Sequence, residues 1–172
     1  GLEWLAPADA MTRLAQAELA TPATPGALAP ELAKLEGTYR YQPITDPDRI
    51  GPFALRVARV AHPVEAYAIR LEADGRSLVY SGDTGPCAAL VELATGADVL
   101  LAEAGFADQT NVPEGVHLTG RQAGEAAAAA GVGALVLTHI APWADVEATL
   151  AGAAEAYSGP IEVARPGLRI AI

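Results

Sequence analysis

The stretch Ser77-Leu78-Val79-Tyr80-Ser81-Gly82-Asp83-Thr84-Gly85-Pro86 is an apolar strand that stops at a Gly-Asp-Thr-Gly turn and feeds a helix. Leu, Val and Tyr suit a pleated, half-buried strand, which makes a rigid support for whatever stands at its end. Asp83 stands there, at the tip of the turn, where an acidic side chain can project beyond the sheet without being buried. One reading makes Asp83 or Thr84 the cap of a helix opening at Pro86, since Asp, Thr and a first-turn proline are ordinary helix-start signals. The other makes Asp83 a ligand or catalytic group. The three histidines decide between them.

His62 follows a strand ending at Val60-Ala61, and His139 follows the buried run Leu135-Val136-Leu137-Thr138. His117 lies in a polar loop just before the capping-box pattern Thr119-Gly120-Arg121-Gln122. If these strands share one sheet edge, His62, His139 and Asp83 converge. Imidazole and carboxylate then form a donor set suited to zinc or another divalent transition metal. Such a metal acidifies bound water into a nucleophile near neutral pH. An ordinary α/β domain with coincidental histidines predicts instead that these side chains lie far apart.

Working outward, residues 7–20 place Met11, Leu14 and Ala15 at helical spacing, and the Thr-Pro-Ala-Thr-Pro-Gly run 21–26 breaks that helix. Pro30 and Gly37 bound a short second helix over 31–36, and residues 39–42 and 53–61 alternate as strands do. Asp74-Gly75 between the apolar runs 66–72 and 76–80 predicts a hairpin. A helix over 86–95, a strand over 99–102 and an irregular loop over 103–118 follow. The alanine run 126–130 predicts a helix closed by Gly131, then a strand at 135–138, a helix over 146–157, and strands at 161–164 and 168–172. Hairpins followed by alternating strand and helix indicate a single α/β domain over 1–172 with a mixed sheet.

Composition narrows the partners. Ten arginines and one lysine, Lys34, face 21 acids, giving a net charge of −10, with no basic run to track phosphates. A nucleic-acid partner is not expected. No apolar run approaches the ~20 residues of a membrane span, and no basic, apolar leader opens the chain, so a cytoplasmic location without a membrane partner is expected. The one cysteine, Cys87, reads as a small buried apolar residue and excludes an internal disulfide. Neither a dinucleotide fingerprint, a Walker loop nor a serine elbow is present. Asp46 and Asp48 around Pro47 read as turn chemistry. Pro142 and Trp143 either line a substrate mouth or pack a loop against the sheet, and Trp4 reads as core or interface.

In order, Val60-Ala61-His62-Pro63, Ser81-Gly82-Asp83-Thr84-Gly85, Leu101-Ala102-Glu103-Ala104-Gly105-Phe106, His117-Leu118-Thr119 and Leu137-Thr138-His139 resemble the metallo-β-lactamase-fold hydrolases, in particular their ribonuclease Z-like branch. The resemblance covers roughly residues 50–145 and takes in all three histidines. It implies an α/β fold, the metallo-β-lactamase αβ/βα sandwich, with two divalent metals, zinc or else manganese or iron, at one edge. His62 would ligate one metal, Asp83 bridge both and His139 ligate the other. Glu103 and His117 match residues that assist proton transfer to the leaving group, so Asp83, Glu103 and His117 are the catalytic candidates.

The family's His-x-His-x-Asp-His loop is absent, and no histidine precedes residue 62. The chain is therefore expected to be the C-terminal two-thirds of such a protein, N-terminally incomplete. It would be inactive alone, or need its missing part in trans; a homodimer is a further expectation. Members that process tRNA carry a long arm between the regions matching His62 and Asp83, where this chain has a tight hairpin. A small ester or phosphodiester is thus the expected substrate rather than tRNA. The rival expectation is a metal-free binding or scaffold domain that keeps the fold.

Overall fold

The computed structural model describes residues 1–19, 24–44, 49–106 and 112–172. The Asp46–Asp48 turn lies outside them, as does part of the 103–118 loop. The chain divides into two compact units, Gly1–Thr45 and Asp46–Ile172.

In the first unit, β1 (Leu2–Ala6) is a strand that local alternation does not announce. It is followed by α1 (Ala10–Ala17), which buries Met11 and Ala15, α2 (Pro25–Thr38) and β2 (Tyr39–Pro43). The two strands pair in parallel from Leu2 opposite Tyr39 to Ala6 opposite Pro43. Trp4 packs its ring on Tyr39 and edge-on to Tyr41, so within this unit it is a packing residue. The expected 31–36 helix is too short. Thr24 caps α2, Pro25 opens it, and Pro30 lies inside it. Proline there forfeits one bond to the Gly26 carbonyl, but both residues are exposed and water can satisfy that group.

The second unit is built on a seven-stranded sheet. Its strands are β3 (Arg49–Ile50), β4 (Phe53–Arg59), β5 (Tyr67–Ala73), β6 (Arg76–Tyr80), β7 (Val99–Glu103), β8 (Ala134–Thr138) and β9 (Ile161–Val163), in that spatial order. Asp74 and Gly75 both take positive φ, 51° and 75°, the geometry that closes a two-residue hairpin between β5 and β6. Strands β3 to β6 are antiparallel neighbours, whereas β6 to β9 run parallel. Two antiparallel steps make β4 parallel to β6, so β4, β6, β7 and β8 all end on one edge.

Three helices cover one face: α3 (Ala88–Ala94), α4 (Gly120–Ala130) and α5 (Val146–Ala156). Val79, Leu100, Ala102, Leu135 and Leu137 meet Leu90, Leu93, Ala123, Ala127, Ala153 and Tyr157 in one core. Each fully buried leucine there contributes about 1.5–3 kcal/mol by leaving water. The expected capping box forms at α4: Gln122 N–H donates to Thr119 Oγ1, and Thr119 N–H donates to Gln122 Oε1. Gly131 ends that helix at φ 62°.

Three expectations need correction. Residues 168–172 make no strand; Ile170 and Ile172 are exposed and the sheet ends at β9. Alternation alone cannot make a strand without a neighbour to accept its hydrogen bonds. Helix α3 starts at Ala88, and its cap position is Cys87, so neither Asp83 nor Thr84 caps it. Cys87 is only partly buried. Among the described residues no helix is long and apolar enough to cross a membrane.

Asp98 ties the far ends of β6 and β7. Its carboxylate accepts from Ser77 N–H at 2.8 Å, Ser77 Oγ at 3.0 Å and Arg76 at 3.0 Å. The Ser77 hydroxyl first, then its backbone N–H and Arg76, hold the Asp98 carboxyl below the usual carboxylate range. A lowered folded value means the contribution is complete above the unfolded value of about 3.9 and is lost as pH falls through the folded one. Urea unfolding of Asp98→Asn is expected to show a lower midpoint than wild type at pH 7, with the gap closing below about pH 4. A gap unchanged with pH would contradict this.

Candidate metal centre

Every chemically interesting side chain singled out above lies at the shared edge. His62 follows β4, Asp83 follows β6, Glu103 is the last residue of β7, and His139 follows β8. His117 comes from the loop before α4. Backbone bonds lock these loops together: Gly85 N–H donates to Ala61 O at 2.7 Å, Ala104 N–H to Thr138 O at 2.8 Å, and Phe106 N–H to Leu118 O at 3.0 Å.

The turn carrying Asp83 depends on two glycines. Gly82 takes φ 60°, and a Cβ there would stand 2.6 Å from Tyr67 O. A Cβ on Gly85 would stand 2.7 Å from the α-carbon of Gly115, because the Asp83 loop and the His117 loop touch backbone to backbone.

Glu103 is fully buried. One carboxylate oxygen accepts from Thr84 N–H at 2.8 Å and the other from Gly105 N–H at 2.9 Å. His117 Nδ1 lies 2.8 Å from the first of these oxygens. Ser81 Oγ accepts from Glu103 N–H at 2.9 Å and donates to Gly82 O, so it ties the ends of β6 and β7. With its Nδ1 proton on Glu103, His117 keeps Nε2 as an available lone pair. His62 is oriented the same way, with Nδ1 3.3 Å from Val64 O.

His139 Nδ1 lies 3.2 Å from Asp83 Oδ1. Its backbone is left-handed, φ 55°, a conformation that costs a non-glycine residue about 1–2 kcal/mol. The rings of His62 and His139 stand 5.8 and 5.1 Å from that of His117, and Phe106 meets His117 edge-on at 5.1 Å. Burial raises the Tyr80 phenol above its usual range, with the negative charges of Asp83 and Glu103 adding to the effect.

Two groups of donors result. His62, Asp83 and His117 offer ligand atoms that all lie within 4.8 Å of one another, and so do Glu103, His117 and His139. The expected trio His62, Asp83 and His139 is thus spread over both groups, and His117 is common to the two. Neutral imidazoles with carboxylates fit a borderline divalent ion such as zinc. The packing reading of Trp143 is overturned: the side chain is 88% exposed and borders a cleft of about 410 Å³ that also contains His117 and His139. A larger hollow of about 690 Å³ lies at the opposite end of the strands. Its Arg70 and Arg76 are engaged by Glu72 and Asp98.

Sequence reasoning passed over Ser81, Thr84 and Phe106 as site-forming residues. The available signal was the acid closing an otherwise apolar strand, Val99-Leu100-Leu101-Ala102-Glu103, since a buried carboxylate must find donors nearby.

Residues 3–140 match the family described as the beta-lactamase superfamily domain. The chain belongs to the metallo-β-lactamase superfamily. Among curated members, it is 45% identical over 123 residues to the protein ML1173 of Mycobacterium leprae, covering 71% of this chain and 43% of that one. It is 45% identical over 100 residues to a ribonuclease Z of Myxococcus xanthus, covering 56% and 33%. To YhfI of Bacillus subtilis, a probable metallo-hydrolase, it is 31% identical over 128 residues, covering 74% and 52%. The crystal structure of YhfI, a metallo-β-lactamase-fold protein, superposes with a TM-score of 0.70 at 28% identity over 76% of this chain and 54% of that one. The chain spans about half or less of the length of these relatives.

Gly85→Ala is expected to force the Asp83 and His117 loops apart and destabilise the protein by about 1–3 kcal/mol in urea unfolding. Wild-type stability in that variant would mean the two loops separate without cost.

Proposed function

We propose that the chain contributes to a metal-dependent hydrolase acting on a small ester or phosphodiester, with His62, Asp83 and His139 holding zinc or else manganese or iron. The supporting observation is that His62, Asp83, Glu103 and His139 gather at the ends of four strands and His117 joins them from the loop before α4, with the buried acid hydrogen-bonded to the His117 imidazole. By the family resemblance, the site would hold two divalent ions, with Asp83 among the residues that hold them.

The chemistry that a metal would supply there is Lewis acidity toward water and the ester oxygen. The chain's own residues do the rest. Glu103, anchored by two backbone N–H groups, holds the His117 ring through Nδ1. Nε2 would first take a proton from water, giving an imidazolium that the buried carboxylate stabilises, and then pass that proton to the departing oxygen and return to the neutral ring. Phe106 against the ring edge restricts its rotation and keeps solvent from one side.

A small substrate is favoured over RNA by the chain's own charge and shape. The net charge of −10 repels polyanions, and the β5–β6 connection is a closed Asp74-Gly75 turn with no arm to grip them.

Hydrolysis of bis(p-nitrophenyl) phosphate and p-nitrophenyl acetate tests this. With the full-length protein, turnover that chelator abolishes and zinc restores is expected, with Glu103→Gln lowering kcat and kcat/KM together by about 10²–10⁴. A metal-free, folded protein without turnover would favour a binding or scaffold role. Faster cleavage of a tRNA precursor than of either ester would overturn the choice of substrate.

A further inference from the structure

The cleft of about 410 Å³ has a lining of mixed chemistry. Its lining joins His117 and His139 to the apolar Ile140, Ala141, Pro142 and Trp143, with Phe106 against the His117 ring. Its polar contribution beyond the histidines is Asp145, and that carboxylate is already occupied, accepting from Glu147 N–H at 2.9 Å and Ala148 N–H at 3.1 Å as the cap of α5.

The tryptophan is displayed by a fixed frame rather than by a loose loop. Ala144 N–H donates to Ala141 O at 2.8 Å, which closes a turn with Pro142 and Trp143 at its two corners. Proline in the first corner presets the backbone. The turn is held on one side by the end of β8 and on the other by the capped start of α5. A large apolar ring that is 88% exposed among the described residues, on a braced turn four residues after His139, offers a stacking surface. Indole offers a broad apolar face that favours offset or edge contacts with another flat ring.

Resting on the hydrolase reading above, we propose that Trp143 and Pro142 form a specificity wall for a planar aromatic group on the substrate, so that the ester or phosphodiester taken by this site carries an aryl or heteroaryl substituent. In this proposal the histidines take the scissile ester end, and the ring lies along Pro142 and Trp143. Trp143 touches no reacting atom in this arrangement and acts on binding alone.

Phenylphosphonate and methylphosphonate, whose P–C bonds make them non-hydrolysable, are the probes. The protein has two tryptophans, so Trp4→Phe leaves Trp143 as the sole indole emitter. In zinc-containing buffer, phenylphosphonate is expected to quench that emission saturably and to bind roughly 10- to 100-fold more tightly than methylphosphonate, in the range of one good stacking contact. Trp143→Ala in otherwise wild-type protein, followed by calorimetry, is expected to erase the preference, and Trp143→Phe to restore part of it. In turnover, Trp143→Ala would raise KM for an aryl diester with kcat nearly unchanged. Equal binding of the two phosphonates, no binding of either, or a preference that survives Trp143→Ala would overturn the proposal. Aryl preference without turnover would sink the hydrolase reading and leave the wall intact. Turnover indifferent to Trp143 would do the reverse.

Discussion

A carboxylate sealed from solvent is tolerable only when hydrogen-bond donors replace its lost water, and Glu103 is such a group. Its donors come from three different places: Thr84 in the turn after β6, Gly105 just beyond β7, and His117 in the loop before α4. Satisfying one buried acid therefore fixes three segments that are distant in sequence. Removing the donors would leave an uncompensated charge costing several kcal/mol. The positions of Asp83 and His117 are consequences of that constraint as much as of the sheet.

The sheet supplies the rest by topology. Parallel alignment of β4, β6, β7 and β8, with antiparallel β5 between the first two, puts four C-terminal ends on one edge, and each end is followed or closed by one polar residue of the centre. The glycines at 82, 85 and 115 let the connecting backbones approach closely enough for ligand atoms to fall within 4.8 Å. His139 keeps a left-handed backbone at the end of β8. Local strain of this kind persists where the surroundings determine the conformation, and it is concentrated at working sites. Membership of the metallo-β-lactamase superfamily agrees with this arrangement of donors at a sheet edge.

Local chemistry made much of this legible. The Asp74-Gly75 hairpin, strand 76–80, the Thr119/Gln122 box and the Gly131 stop each follow from a short-range rule, and each formed where expected. That His62, Asp83 and His139 each follow a strand was legible from the apolar runs before them, but the role of His117 as the residue common to both donor groups was not. What escaped depended on distant partners. Strand β1 exists because β2 pairs with it across an intervening pair of helices, and 168–172 fails because no neighbour accepts it. Pro30 looked like a boundary, yet at an exposed position the lost bond can be met by water. Asp83 looked like a cap, but its carboxylate faces His139 while α3 begins farther on. The apolar run before Glu103 hinted at its burial, but the donors that satisfy it, Thr84, Gly105 and His117, come from other segments and could not be read locally.

The central claim is that these side chains bind metal as one unit. Metal content by elemental mass spectrometry, on purified wild type beside Asp83→Ala after dialysis into metal-free buffer, tests it most directly. The account predicts stoichiometric zinc, manganese or iron in the wild type and its loss in the folded variant. Equal metal in both, or none in the wild type even after loading with zinc, would contradict it.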